Sequence, residues 1–149
     1  MKQTFKINGW QLNTRCCRRS DHDFVFSLVK ETLWPYIAVF FQPSKKMFDE
    51  RFTEDYRQKV ILLRGSRRIG YYQLGYDGKY LVINGIFVSP AYQRRQIGSY
   101  LMNYFETLGY KKFKLQVWEN NPALFFYKKL GYKKVGKKNH KILMEKIPK

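Results

Sequence analysis

Residues 59 to 88 hold three strand-like runs separated by two turn signals, an order that puts an antiparallel meander at the centre of any fold this chain adopts. Lys59 to Arg64 (KVILLR) is the first run, Gly65 to Arg68 a turn, and Ile69 to Gly75 the second run. Asp77-Gly78 is a strong hairpin dipeptide, since its residues tolerate positive φ. Tyr80 to Val88 (YLVINGIFV) follows as the third strand, ended by Ser89-Pro90. Upstream, Trp10 to Cys17 is strand-like. Ser20 followed three residues on by Asp23 offers a helix start. Phe24 and Leu28 then recur at helical spacing until Pro35 interrupts. A second helical stretch runs from Pro43 to Tyr56, with Met47, Phe48 and Phe52 on one side. Downstream, Ile97, Leu101, Tyr104 and Leu108 share one helical face, and Gly109 stops that helix. Lys111 to Trp118 reads as a strand. Asn121-Pro122 opens a helix that Gly131 ends, and short strands at Tyr132 to Val135 and Lys141 to Glu145 close the chain. The expected class is α/β, a mixed sheet flanked by helices, in one domain over residues 1–149.

Composition narrows the function. A domain of 149 residues buries roughly 68–70% of the surface its unfolded chain exposes, so it needs no staple. Cys16 and Cys17 are adjacent and lack CxxC spacing. With only two histidines they make no zinc site, and no metal is expected. Met1 to Trp10 has no apolar signal core, and no run approaches the roughly 18 apolar residues of a membrane span. A cytoplasmic protein is expected. The net charge is +18, and residues 111–149 carry 12 basic and 2 acidic side chains. Such a field draws an anionic partner: nucleic acid, a membrane surface or a phosphate-rich cofactor.

The segment from Val88 to Ser99 (VSPAYQRRQIGS) selects among these. A buried strand ends at a proline, and a short basic loop turns straight into an amphipathic helix. The first helical turn offers unpaired N–H groups and the positive end of the helix dipole, which suit a pyrophosphate. Arg94 and Arg95 would repel that dipole, and a bound anion would relieve the conflict. Gly98 lets a ligand approach the backbone, and Ser99 adds a hydroxyl donor. The stretch resembles the acetyl-CoA loop of the Gcn5-related N-acetyltransferase (GNAT) family: Gln or Arg, two residues, Gly, one residue, Gly or Ala. Gln93 and Gly98 match the first and last positions, and Gln96 stands where the family usually has its first glycine.

A second stretch, Leu115 to Gly136 (LQVWENNPALFFYKKLGYKKVG), resembles the family's later motif. Ala123, Phe126, Tyr127, Leu130, Gly131 and Tyr132 fall at the expected spacings. The motif asparagine is Asn120 or Asn121, and Asn121 is the better placed helix cap; by the resemblance, Asn120, Asn121 and Tyr127 are also expected among the coenzyme-binding residues. The resemblance implies an acyl-CoA N-acyltransferase fold. Its central, mostly antiparallel sheet would splay between its fourth and fifth strands, Tyr80–Val88 and Lys111–Trp118 when counted from Trp10. Acetyl-CoA would lie in that cleft as co-substrate, with main-chain groups of Ile86, Phe87 and Val88 along its arm. Gln93, Arg94, Arg95, Gln96, Ile97, Gly98 and Ser99 would hold its phosphates.

The same resemblance implies that Tyr127 is the general acid for the departing thiolate and that an amine attacks the thioester directly. Many members use a glutamate on or near the fourth strand as base. Here that strand has Asn84 but no carboxylate, which leaves Glu31 and Glu119 as candidates beside a water relay. Glu31, Trp34, Tyr36 and Asn84 are candidates for the substrate wall. Two other readings stay open: a non-catalytic coenzyme A-binding domain, and a basic nucleic-acid-binding module. The nucleic-acid module lacks any recognition-helix or aromatic-platform pattern. A monomer or a homodimer is expected.

Overall fold

The computed structural model describes residues 2–148. Its centre is one eight-stranded mixed sheet, of order β1-β2-β3-β4-β5-β6-β8-β7. The strands are β1 Thr4–Ile7, β2 Trp10–Cys16, β3 Lys59–Arg64, β4 Arg67–Asp77, β5 Tyr80–Val88, β6 Lys112–Trp118, β7 Lys133–Lys138 and β8 Lys141–Lys146. The helices are α1 His22–Thr32, α2 Trp34–Ile37, α3 Lys45–Asp55, α4 Ile97–Glu106 and α5 Ala123–Lys129. All strand pairs are antiparallel except β5 with β6.

Alternation along the strands divides the core between two faces of the sheet. Leu62, Tyr72, Leu81, Phe113 and Leu115 join Leu101, Met102 and Phe105 of α4 in the larger cluster, with Leu124 and Tyr127 of α5 at its margin. Their strand neighbours Ile61 and Tyr71 face the other way and join Val25, Leu28 and Val29 of α1 and Phe52 of α3. The sheet is thus sandwiched between α4–α5 and α1–α3.

Several local expectations are corrected. The hairpin β1–β2 was not foreseen. It turns on Asn8 (φ 51) and Gly9 (φ 82), the paired positive dihedrals of a type I′ turn. The helix start is not set by Ser20 and Asp23. Asp21 instead accepts the amide of Arg18 at 2.8 Å, because Arg15 and Arg68 also converge on its carboxylate. Pro35 does not merely break a helix. It sits in the first turn of α2, where its missing N–H costs nothing. In α3 Phe52 is buried but Met47 is exposed, and Leu108 lies beyond the end of α4.

The feature that positions the site is the end of the β5–β6 pairing. The two strands pair only from Tyr80↔Lys112 to Ile83↔Leu115. Beyond that point Gly85 to Val88 stay with β4, and Gln116 to Trp118 stay with β8. The register between β4 and β5 slips at the same place. Gln73 faces Gly85 and Leu74 faces Ile83, which leaves Asn84 as the extra residue of a bulge. A bulge bends its strand, so β5 turns away from β6 right after their last pair and opens a wedge.

Candidate active site

The loop after β5 sits at one end of this wedge and is held rigidly. Gln93 folds back, its Nε2 donating to the carbonyl of Val88 at 2.9 Å. Asn8 in the β1–β2 turn donates from Nδ2 to the Arg95 carbonyl (3.3 Å) and to Gln96 Oε1 (3.4 Å). Gln96 takes φ 65 and Arg94 φ 62. The departure at Gln96 is therefore one of side chain only, since the backbone takes the left-handed conformation that a glycine reaches without strain. Gln96 is the residue before α4, and its carbonyl accepts from Tyr100. The amides of Ile97, Gly98 and Ser99 precede that first helical bond and have no acceptor within the helix. A Cβ on Gly98 would come 3.4 Å from the ring of Phe126, at the near edge of ordinary contact, so α5 packs close against this turn of α4. The expected clash of the two arginines with the helix dipole is eased, because Arg95 lies over the ring of Trp10.

Along the wedge, Ile86, Phe87 and Val88 are half-buried and bond to β4 on one side only. Asn84 is exposed at the bulge, its amide against Gly75 of β4. Backbone polar groups on the open edges of β5 and β6 lack ladder partners, and such groups call for a partner. An extended ligand bearing amides satisfies that demand, as does the anion-ready end of α4. The residues present therefore fit a coenzyme A thioester.

Tyr127 on α5 is half-buried, with Phe126 and Tyr132 rings 5.2 and 6.1 Å away. Burial pushes its phenol up to about 12. Among the described residues no protein group hydrogen-bonds its hydroxyl. The two asparagines divide their work. Asn121 Oδ1 accepts the Ala123 amide at 2.9 Å and caps α5, whereas Asn120 Nδ2 donates to the Tyr36 carbonyl at 3.1 Å.

The expected substrate wall is only partly brought together. Tyr36 is tied to the end of β6 through Asn120. Trp34 packs edge-on against Phe26 (5.5 Å) in the α1–α3 core. Glu31 is exposed on α1. Glu119 makes a poor base. Lys137 Nζ lies 2.5 Å from its Oε2 and His140 Nδ1 3.2 Å from its Oε1, and these two hold its carboxyl below the usual range. Sequence reading missed an aromatic group here. Phe40 stacks on His140 at 4.1 Å and on Trp118 at 5.7 Å, with Phe41 5.9 Å from Trp118. These side chains come from three separate places in the chain, the segment after α2, the end of β6 and the turn between β7 and β8, so no local pattern announces them. Cys17 is buried in the α1–α3 core, which pushes its thiol up to about 12 and leaves it inert.

A cleft between partly paired parallel strands, with an anion-ready helix start at its end, defines the fold of acyl-CoA-dependent N-acyltransferases. The family model described as an acetyltransferase (GNAT) domain matches residues 55–134, more than half of the chain. The chain belongs to this family and is an acetyl-CoA-dependent N-acetyltransferase. A search of curated protein sequences finds no match. Among solved structures, the PaiA N-acetyltransferase of Thermoplasma acidophilum, in complex with coenzyme A, is 19% identical. Its TM-score is 0.71, over 91% of this chain and 98% of that one. A GNAT-family acetyltransferase of Listeria monocytogenes is 16% identical, with a TM-score of 0.69 over 97% and 99% of the two chains. The spermidine N-acetyltransferase of Vibrio cholerae, in complex with CoA and spermine, is 18% identical, with a TM-score of 0.65 over 92% and 94%. At these identities the likenesses establish the fold. No helix among the described residues is long and apolar enough to cross a membrane.

Proposed function

We propose that the chain transfers an acetyl group to the amine of a small molecule or protein by direct attack, with the wedge between β5 and β6 as the coenzyme site. The observation that carries this is the early end of the β5–β6 pairing beside the amides of Ile97, Gly98 and Ser99. Acetyl-CoA, when bound, supplies the acetyl group as a thioester open to an amine. The amides at the start of α4, with Arg94 and Arg95, hold the diphosphate. Gln93 and Gln96 shape that loop, Gln93 through its bond to Val88. Main-chain groups of Ile86 to Val88 align the arm and place a donor at the carbonyl oxygen, where charge develops. Tyr127 gives its hydroxyl proton to the leaving sulfur. Its raised affinity for that proton keeps the phenol protonated across the physiological range. Holding amine and carbonyl together supplies much of the acceleration. With Glu119 ion-paired and Glu31 exposed, the proton of the amine passes to water. Glu31, Trp34, Tyr36 and Asn84 remain the proposed acceptor side, in a single cytoplasmic domain working as a monomer or homodimer.

Thermal stability with and without acetyl-CoA, with ATP as an anion control, tests the site. A ligand in hundredfold excess over its Kd adds roughly 2.7 kcal/mol when it binds only the folded state. A shift with acetyl-CoA beyond that with ATP is expected. No shift overturns the assignment, and equal shifts mark a generic effect of the basic surface. Turnover on an amine panel then separates an enzyme from a domain that only binds coenzyme A.

A further inference from the structure

Beside the coenzyme loop, four arginines gather around two aromatic rings. Trp10, the first residue of β2, is held between two guanidiniums: Arg64 Cζ lies 3.5 Å from its ring centroid and Arg95 Cζ 4.1 Å. Tyr92 meets the same indole edge-on at 5.8 Å, and its hydroxyl accepts from Arg67 Nη1 at 3.3 Å. Arg94, Arg95, Asn8 and Trp10 line a cavity of about 210 Å³ on this surface. The end of β3, the start of β4 and the loop before α4 thus deliver Arg64, Arg67, Arg94 and Arg95 to one place.

Elsewhere Arg15 and Arg68 are answered by Asp21. Among the described residues, none of these four arginines has a carboxylate partner. Like charges kept close without a counter-charge repel one another. Here the indole and the phenol hold three of them in place in spite of that repulsion. A guanidinium stacked on an aromatic face has its plane fixed while its N–H edges stay free. Fixed forks of this kind match the oxygens of a phosphate, which can accept from several of them at once.

We infer that Arg64 and Arg67, held by Trp10 and Tyr92 next to Arg94 and Arg95, extend the anion site at the start of α4 into a second phosphate-binding site that shares those two loop arginines. The phosphate has two sources to distinguish: the ribose phosphate of the coenzyme, or a separate phosphorylated small molecule. Only the first of these rests on the coenzyme site proposed above.

Calorimetric titration at physiological ionic strength tests this with three probes: coenzyme A, dephospho-coenzyme A and inorganic pyrophosphate. Wild type is compared with Arg64→Gln/Arg67→Gln, and with Arg67→Gln alone should the double variant melt early. If the coenzyme is the source, wild type prefers coenzyme A over its dephospho form about tenfold, the scale of one hydrogen bond to a charged group, and the variant loses that preference. If the source is separate, wild type binds both coenzymes equally, and only pyrophosphate binding weakens in the variant, again about tenfold. Identical affinities of variant and wild type for all three probes overturn the inference. Should wild type bind neither coenzyme while pyrophosphate still separates it from the variant, the coenzyme site fails and the arginine site stands.

Discussion

Gln96 shows how a residue type and a backbone conformation can part company. The loop needs a left-handed residue before α4, and Gln96 supplies it at φ 65. A non-glycine residue there bears roughly 1–2 kcal/mol of strain. Gln96→Gly is therefore expected to melt no lower than wild type and to keep acetyl-CoA affinity. Gln96→Val, branched at Cβ, is expected to lose about 1–2 kcal/mol in denaturant titration. The sequence displays a mismatch to the family pattern at this position, and only the dihedral shows that the backbone complies. Tyr127 was legible as a motif residue, and its chemistry gives a sharper test. Tyr127→Phe should lower the single-turnover rate roughly a hundredfold while acetyl-CoA affinity stays unchanged. A rate equal to wild type removes Tyr127 from the reaction. The Phe40, Trp118 and His140 stack was not legible, because its members lie in three separate stretches of chain.

At the scale of elements, Asp21 joins β2, the entry to α1, and β4. It accepts from Arg15 at 2.7 and 2.9 Å, from the Arg18 amide at 2.8 Å and from Arg68 at 3.1 Å. Burial alone would push its carboxyl up, but these donors outweigh it and bring it down to about 2, from 3.8. A carboxyl lowered on folding stabilises fully above its unfolded value and loses that contribution as pH falls through its folded value. Acid titration should therefore remove about 2 kcal/mol between roughly pH 4 and pH 2, a loss absent from Asp21→Asn. If both proteins show the same acid limb, Asp21 is not the source. Asn121→Ala removes the cap of α5 and should cost about 1 kcal/mol, read by equilibrium unfolding. Helix starts were only half legible. The cap of α5 followed from Asn121-Pro122, whereas the choice of Asp21 over Asp23 depends on arginines of two distant strands. Strand β1 escaped notice because four residues are too few to show alternation, although Asn8-Gly9 is the dipeptide that makes its turn.

Over the whole molecule, the charge of +18 predicts that acetyl-CoA affinity weakens with salt. Raising ionic strength from about 0.01 M to about 1 M shortens the screening length from roughly 30 Å to roughly 3 Å. Affinity should fall steadily across that range in calorimetry. A flat profile would mean that the basic surface plays no part in capture. The order of strands and helices was readable from alternation and turn residues, and with it the mixed sheet. The wedge entered only through family resemblance, because β5 and β6 are apolar over most of their length. Apolar residues record burial and say nothing of which neighbour a strand abandons halfway.

Four residue pairs join the β1–β5 half of the sheet to the β6–β8–β7 half. Mechanically, these are two rafts moored to each other at one end of the sheet and by the shared core beneath α4. A coenzyme lying across the open end would act as a further mooring line, so the apo protein should breathe in a mode that the loaded one lacks.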